Sequence, residues 1–264
     1  MARRLEGKIA LVMGAGSIGP GWGNGKAASV LFAREGAKVV AVDRDATAAA
    51  ETTRVIREEG GECIEAVADI SRVADVEAVI EKTIDTYGRI DVLQNNVGIV
   101  GLGNAVKVTE EAWEKSFAVN ARGLMLSCQK VLPHMVAQGG GSIINVSTIA
   151  SVRYLGFSYT AYDASKAAVN ALTRSIAVEF GPKGVRANTI LVGMMDTPLA
   201  RGGIEAAGSN VDKIYSGYTD TIPLRRMGTG WDTANLALFL ASDDASYITA
   251  AEIPTDGGLI ARCL

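Results

Sequence analysis

The stretch "GAGSIGPGWGNGKA", Gly14 to Ala27, packs glycine at nearly every second position between an apolar run, "IALVM" (9–13), and a helix-like run, "AASVLFAREGA" (27–37). Glycine loses more chain entropy on folding than any other residue, so so rich a turn needs a compensating use. One use is to let backbone N–H groups close on a phosphate at the N-terminus of a helix, where the dipole favours anions. The alternative is a long surface loop that tolerates glycine, and the rest of the chain decides between them.

Working outward, short β-rich apolar runs alternate with longer helical patterns. The strands read as 8–13, 38–43, 63–69, 90–96, 141–147, 185–191 and 252–255, and the helices as about 24–35, 46–59, 73–87, 110–138, 161–180 and 231–241. Gly36, Gly60, Gly88 and Gly181 stand where helices end before a strand, the usual place for a glycine C-cap. This alternation predicts an α/β domain: a doubly wound, seven-stranded parallel sheet with helices on both faces. Repeats, linkers and low-complexity tracts are lacking. One segment breaks the rhythm, 194–228. It is polar and weakly periodic, and such an excursion often serves as a lid or specificity segment.

Composition narrows the function. The chain has 264 residues, a net charge of -3 and 48% hydrophobic residues. That suits one larger α/β domain and argues against a nucleic-acid partner. Apolar runs all fall short of the roughly 20 residues a membrane span needs. The start, "MARRLEGKIALVMG", reads as a first strand rather than a signal peptide. Cys63, Cys128 and Cys263 make neither a metal pattern nor a disulfide framework, so a reducing cytoplasm is expected and no metal. The single histidine, His134, sits near a helix end and reads as structural or exposed. Proton chemistry then falls to Tyr, Lys or carboxylates.

In a doubly wound sheet, ligands bind outside the carboxyl ends of the strands. Asp43 closes the second strand. A carboxylate there can accept hydrogen bonds from both hydroxyls of an adenosine ribose and would repel a 2′-phosphate, which favours NAD; neighbouring Arg44 weakens the preference. Asp69 follows the third strand, placed to read an adenine edge or to cap the next helix. After the fourth comes the turn "NNVG", 95–98. In "YTAYDASKAA", Tyr162 and Lys166 share one helix face. A free tyrosine has a pKa near 10, and a nearby ammonium would lower it into a useful range.

Across its whole length the chain resembles the short-chain dehydrogenase/reductase family. The matches are the glycine loop, "AVDRD", "ADIS", "NNVG", "FAVNARG", "GSIINVST", "YDASK", "ANTILVGMMDTP" and "LALFLASDDASYITAAEIPTDGG". The resemblance implies a Rossmann-type fold and an NAD-dependent oxidoreductase that interconverts a secondary alcohol and a ketone, a small-molecule substrate. It implies that Tyr162 exchanges a proton with the substrate oxygen, that Lys166 lowers its pKa and binds the nicotinamide ribose, and that Asn120 holds a water in the proton relay. Of the hydroxyls at the end of the fifth strand, alignment through "GSIIN" favours Thr148, with Ser147 the alternative. Ile70, Asn95, Val97, Gly98, Val192, Gly193 and Met195 join the cofactor contacts by the same correspondence, and Thr197 matches the residue that holds the nicotinamide carboxamide. The family turn TGxxxGxG is irregular here. Met13 replaces its threonine, and the simplest alignment keeps Gly14, Gly23 and Gly25 with about four residues inserted, so that Ser17, Ile18 and Asn24 line the pyrophosphate.

The longer loop is also similar to the divergent enoyl-reductase branch, which uses a tyrosine seven residues before the lysine. Tyr159 and Lys166 satisfy that spacing. The alternatives are therefore enoyl-thioester reduction and a non-catalytic NAD-binding module. The 149–159 loop borders the substrate site in this family, so Arg153 is expected to meet an anionic group, with Tyr159 beside it. The family's assembly surfaces imply a homotetramer.

Overall fold

β1 (Ile9–Met13) is buried at every position and pairs in parallel with β2 (Lys38–Asp43) on one side and β4 (Val92–Asn95) on the other. The chain order thus reverses at its carboxyl end, where the glycine turn begins. This computed structural model describes residues 3–156, 158–206 and 208–262. Adding β3 (Cys63–Val67), β5 (Gly141–Thr148), β6 (Val185–Val192) and β9 (Glu252–Thr255) completes a seven-stranded parallel sheet in the order β3-β2-β1-β4-β5-β6-β9. It is the single α/β domain that the strand–helix alternation predicts.

Both faces are covered, so the strands read as apolar runs without alternation. Ala10 and Val12 face the cluster with Phe32 of α1 (Asn24–Arg34) and Leu238 of α9 (Gly230–Ala241). Leu11 and Met13 face the other cluster, with Val79 of α3 (Val73–Tyr87), Val131 of α5 (Leu124–Ala137) and Ile176 of α6 (Thr160–Phe180). α2 (Ala46–Glu58) is capped by the Asp45 carboxylate, which accepts from the N–H groups of Thr47 and Ala48.

Three expectations need correction. The helix read over 110–138 is α4 (Glu110–Ser116), a π-helical turn over Phe117–Gly123, and then α5. The weakly periodic 194–228 segment holds α7 (Pro198–Ala206) and α8 (Val211–Thr221), closed at its base by β7 (Met195–Asp196) paired with β8 (Gly228–Thr229). Short helices with no fully buried side chain, as in α8, carry little apolar periodicity to read. Gly181 does not cap α6 in a left-handed conformation; it opens a 3₁₀ turn that ends on Gly184 at φ 81°. Among the described residues, no helix is long and apolar enough to cross a membrane.

Candidate active site

The glycine turn is folded back on the sheet. Gly14 has φ 81°, and a Cβ on Gly25, in the first turn of α1, would stand 1.8 Å from the Gly14 carbonyl oxygen. Only glycine permits that approach, and it brings the α1 N-terminus onto the end of β1. Gly23 is the N-cap. The intervening loop bulges outward past Gly19 and Gly21 and is tied down by Trp22, whose ring lies 4.7 Å from that of Trp231 on α9. Ile18 is 64% exposed on this loop. Ser17 Oγ and Asn24 Oδ1 are buried with no hydrogen-bond partner. Buried polar atoms are normally satisfied, and the Ser17 hydroxyl beside a helix N-terminus can donate to an anionic ligand such as a pyrophosphate, whereas Asn24 Oδ1 can only accept.

At the end of β2, Asp43 Oδ2 accepts from the Gly16 N–H at 3.0 Å, and Oδ1 from the Asp45 N–H at 3.1 Å. The main chain therefore sets the direction of this carboxylate, with Arg44 exposed beside it. Asp69 Oδ1 accepts from the backbone and hydroxyl of Ser71, and those bonds hold its carboxyl below the usual range. It does not cap α3, whose N-cap is Arg72. The Ile70 side chain is turned into the core, and its carbonyl lies against Gly123.

The turn after β4 departs from the expected roles. Asn95 is buried, donating Nδ2–H to Asn145 Oδ1 at 2.9 Å inside the sheet, so its side chain cannot reach a cofactor. Its neighbour Asn96 points the other way and donates to the Gly14 carbonyl at 3.0 Å, bracing the glycine turn. Strand parity decides between the two: adjacent side chains point to opposite faces. Val97 packs against Gly14. A Cβ on Gly98 would lie 3.1 Å from Lys166 Nζ, so glycine leaves room for that side chain.

Lys166 is buried on α6. Its ammonium donates to the carbonyls of Val146 at 2.9 Å and Val97 at 3.4 Å, the ends of β5 and the β4 turn. An ammonium has three donors, so one remains for a further partner. Asn120 stands in the π-helical turn. Its Oδ1 accepts from the Ile99 N–H at 2.8 Å, while Nδ2 donates to the Ile99 carbonyl and to Ser165 Oγ. Both amide hydrogens and one lone pair of Oδ1 are thus engaged in clamping the β4–α4 connection to α6. Ser165 also donates to the Tyr162 carbonyl at 2.8 Å. It is a linking residue that the motif reading passed over, although it lies inside "YDASK".

Parity also separates the two hydroxyls of β5. Ser147 faces α6 and donates to the Lys166 carbonyl at 3.1 Å. Thr148 lies beside the Tyr162 phenol, and its hydroxyl accepts from the Ala150 N–H at 3.2 Å. Lys166 is not among the groups that shift the Tyr162 phenol. Burial pushes the phenol up to about 12, against a small opposing effect from Thr148, and burial pushes Lys166 down to about 8. The reason is geometric: the ammonium is drawn to the strand-end carbonyls. Asp163, one residue on, has a buried Oδ1 with no hydrogen-bond partner, and burial raises its carboxyl to about 6.

At the end of β6, Val192 is buried, and the following Gly193 N–H donates to the Thr255 carbonyl at 3.0 Å. The Met195 side chain is buried in the core rather than facing outward. Thr197 Oγ1 accepts from the Ala200 N–H at 3.4 Å, at the head of α7. On the substrate side, Gly103 exchanges main-chain bonds with Ser158 and Thr160. That bridge presents Tyr159, whose ring meets Tyr162 edge-on at 6.3 Å. Arg153 is exposed. Cys63 and Cys128 are buried and free, and Cys263 lies outside the described residues. No group of three His, Cys, Asp or Glu among the described residues is placed to hold a metal.

Comparison with known proteins shows the family and the fold. The family model described as enoyl-(acyl carrier protein) reductase matches residues 20–260. The chain is 37% identical to the 2,5-dichloro-2,5-cyclohexadiene-1,4-diol dehydrogenase of Sphingobium indicum over 259 residues, 98% of each chain. A putative short-chain dehydrogenase/reductase from Burkholderia xenovorans superposes over 100% of both chains with a TM-score of 0.93 at 41% identity. A gluconate 5-dehydrogenase from Burkholderia cenocepacia, solved with NADP and tartrate, superposes over 99% of this chain and 98% of its own, with a TM-score of 0.89 at 29% identity. The chain is an oxidoreductase that belongs to the short-chain dehydrogenase/reductase family.

Proposed function

We propose that the protein interconverts a secondary alcohol and a ketone with NAD(H). The observation that carries this reading is the alignment of the Tyr162 phenol with the Thr148 hydroxyl at the carboxyl end of β5, above the buried Lys166. A bound nicotinamide supplies the hydride acceptor or donor. Tyr162 Oη takes the proton from the substrate hydroxyl on oxidation and returns it to the carbonyl oxygen on reduction. Thr148 Oγ1 orients that oxygen. Lys166, held by the Val146 and Val97 carbonyls, offers its remaining N–H to a ribose hydroxyl. Asn120 positions the floor of the site through Ile99.

Gly14, Ser17, Ile18 and Asn24 would hold the pyrophosphate, with Asp69, the Ile70 main chain, Val97 and Gly98 along the adenosine and ribose. Val192, Gly193, the Met195 main chain and Thr197 would hold the nicotinamide end. Asp43 supports NAD over NADP, because its fixed carboxylate would face a 2′-phosphate; the gluconate 5-dehydrogenase relative binds NADP. Arg153, whose guanidinium has no carboxylate partner within ion-pair distance among the described residues, supports a substrate with an anionic or strongly polar group.

The test is a panel of sugars, hydroxy acids, steroids and cyclic alcohols followed by NADH absorbance, with Tyr162→Phe as control. Tyr162→Phe is expected to abolish turnover while NADH still binds, and Tyr159→Phe to keep most activity. The reverse pattern would favour the second reading, enoyl-thioester reduction through Tyr159, which the description of the matching family model keeps open. Loss in neither would point to a non-catalytic NAD-binding module.

We also propose a cytoplasmic homotetramer. Val178 on α6, 73% exposed, and the fully exposed Tyr247 leave apolar surface on the parts through which the family assembles. A 27.5 kDa sedimenting monomer at micromolar concentration would reject the assembly.

A further inference from the structure

The segment between β7 and β8 returns to its own start, so α7 and α8 stand on a narrow base. α8 buries no side chain completely, and packing alone does not set its place. A polar cluster does. The Asp196 carboxylate on β7 accepts a two-pronged pair from Arg201 of α7, Nε at 2.6 Å and a terminal nitrogen at 2.7 Å. The Arg201 guanidinium lies 5.3 Å from the Tyr215 ring of α8. The Tyr215 hydroxyl is buried next to the same carboxylate, outside good hydrogen-bond geometry yet close enough to help keep it ionised. Base strand, α7 and α8 thus meet in one contact. One turn along α8, Tyr218 lies 6.5 Å from Tyr215. The half-buried Tyr218 feels the charge of Tyr159, and the Tyr159 ring in turn abuts Tyr162.

We infer that Arg201 and Tyr215 are positioning residues, which hold α8 so that Tyr218 closes the substrate space opposite Tyr159 and Tyr162. An isolated exposed ion pair is worth little. Here the fork fixes the guanidinium plane, and the plane offers its face to an aromatic ring, so geometry rather than charge does the holding. Lysine has neither property. The clasp stands on β7 immediately before Thr197, and Pro198 seats against Gly21 of the glycine loop. It therefore anchors α8 to the part of the chain that flanks the cofactor side of the site.

The inference rests on the reading of Tyr162 as the group that exchanges a proton with substrate, and its test has an arm that does not need turnover. Arg201→Gln, Arg201→Lys, Tyr215→Ala and Tyr215→Phe are compared with the wild type. Trypsin cleavage after Lys213, exposed on α8, is followed by mass spectrometry, and KM and kcat are measured on the best alcohol of the panel. Arg201→Gln and Tyr215→Ala are expected to speed cleavage after Lys213 about tenfold, since local opening governs proteolysis. They should raise KM about tenfold with kcat and NADH affinity within about threefold. Arg201→Lys should resemble Arg201→Gln, and Tyr215→Phe should resemble the wild type. Unchanged cleavage overturns the clasp. Faster cleavage with unchanged KM overturns the role of α8 at the substrate. A fall in kcat and melting temperature without a KM change means the residues serve stability alone. If the wild type oxidises no alcohol, the proposed function fails, and the cleavage arm still decides the clasp.

Discussion

Thr148→Val is the sharpest perturbation of the site, because valine keeps the shape of threonine and removes only the hydroxyl. Two interactions go with it. The Ala150 N–H loses its acceptor at 3.2 Å, which costs about 0.5–1.5 kcal/mol of stability. On the proposed mechanism the substrate oxygen also loses the Thr148 donor beside Tyr162. Removing one such preorganised donor lowers kcat by roughly 10²–10³, or about 2.7–4 kcal/mol of barrier. Ser147→Ala is the internal control. Its hydroxyl donates to the Lys166 carbonyl on the α6 side, so its loss should cost about 1 kcal/mol of stability and leave kcat within about twofold. Stopped-flow NADH absorbance reads the chemical step, fluorescence titration reads NADH affinity, and calorimetry reads the melting temperature. The reasoning requires a slow Thr148→Val enzyme that binds NADH normally. If Thr148→Val keeps more than a third of wild-type kcat while Ser147→Ala loses tenfold, the assignment of the two hydroxyls to opposite sides of β5 is wrong for the working enzyme.

The cofactor preference should appear as at least a tenfold higher kcat/KM with NAD(H), about 1.4 kcal/mol, and Asp43→Asn should narrow it; equal efficiency with both cofactors in the wild type would remove the role given to Asp43. Asp163 supplies a pH test. Its folded pKa, about 6, lies above the unfolded 3.8. The native state therefore holds a proton more tightly than the unfolded one. The stability this contributes is complete below about 3.8 and is lost as pH rises through about 6. Asp163→Asn should thus raise the melting temperature at pH 8 by about 2–4 °C, on the order of 1 kcal/mol after discounting for solvent screening, and by much less at pH 4. A gain of equal size at both values would mean the charge of Asp163 is not the cause.

The strand-and-helix frame was legible because each element carries its own signal. β1 and β2 are continuous apolar runs, α2 opens on a capping aspartate, and α3 closes on a left-handed glycine. The glycine turn was legible for a similar reason: the approach of Gly25 to the Gly14 carbonyl admits no side chain, so it leaves its mark directly in the residue type. The lid helices were not, because α7 and α8 owe their places to Asp196, Arg201 and Tyr215 rather than to an apolar face. The break at Phe117–Gly123 was hidden too, since a π-helical turn keeps the helical composition of its neighbours.

The ambiguities within the site share a cause. A motif gives residue types in order, but which side of the sheet a side chain faces depends on the pairing register. Asn95 and Asn96 differ by one position; one is sealed against Asn145 and the other braces the glycine turn. Ser147 and Thr148 divide in the same way between the α6 face and the site. With β4 and β5 in parallel register at Asn95 and Asn145, parity assigns the inward asparagine. Parity along β5 then places Ser147 with Asn145 and leaves Thr148 as the first residue free to face Tyr162. The electrostatic error has a different origin. Spacing puts Lys166 and Tyr162 on one helix face, but the Val146 and Val97 carbonyls compete for the ammonium, and burial raises the phenol. A cationic group held beside Tyr162 would offset that burial and favour its phenolate, which the engaged Lys166 ammonium does less well.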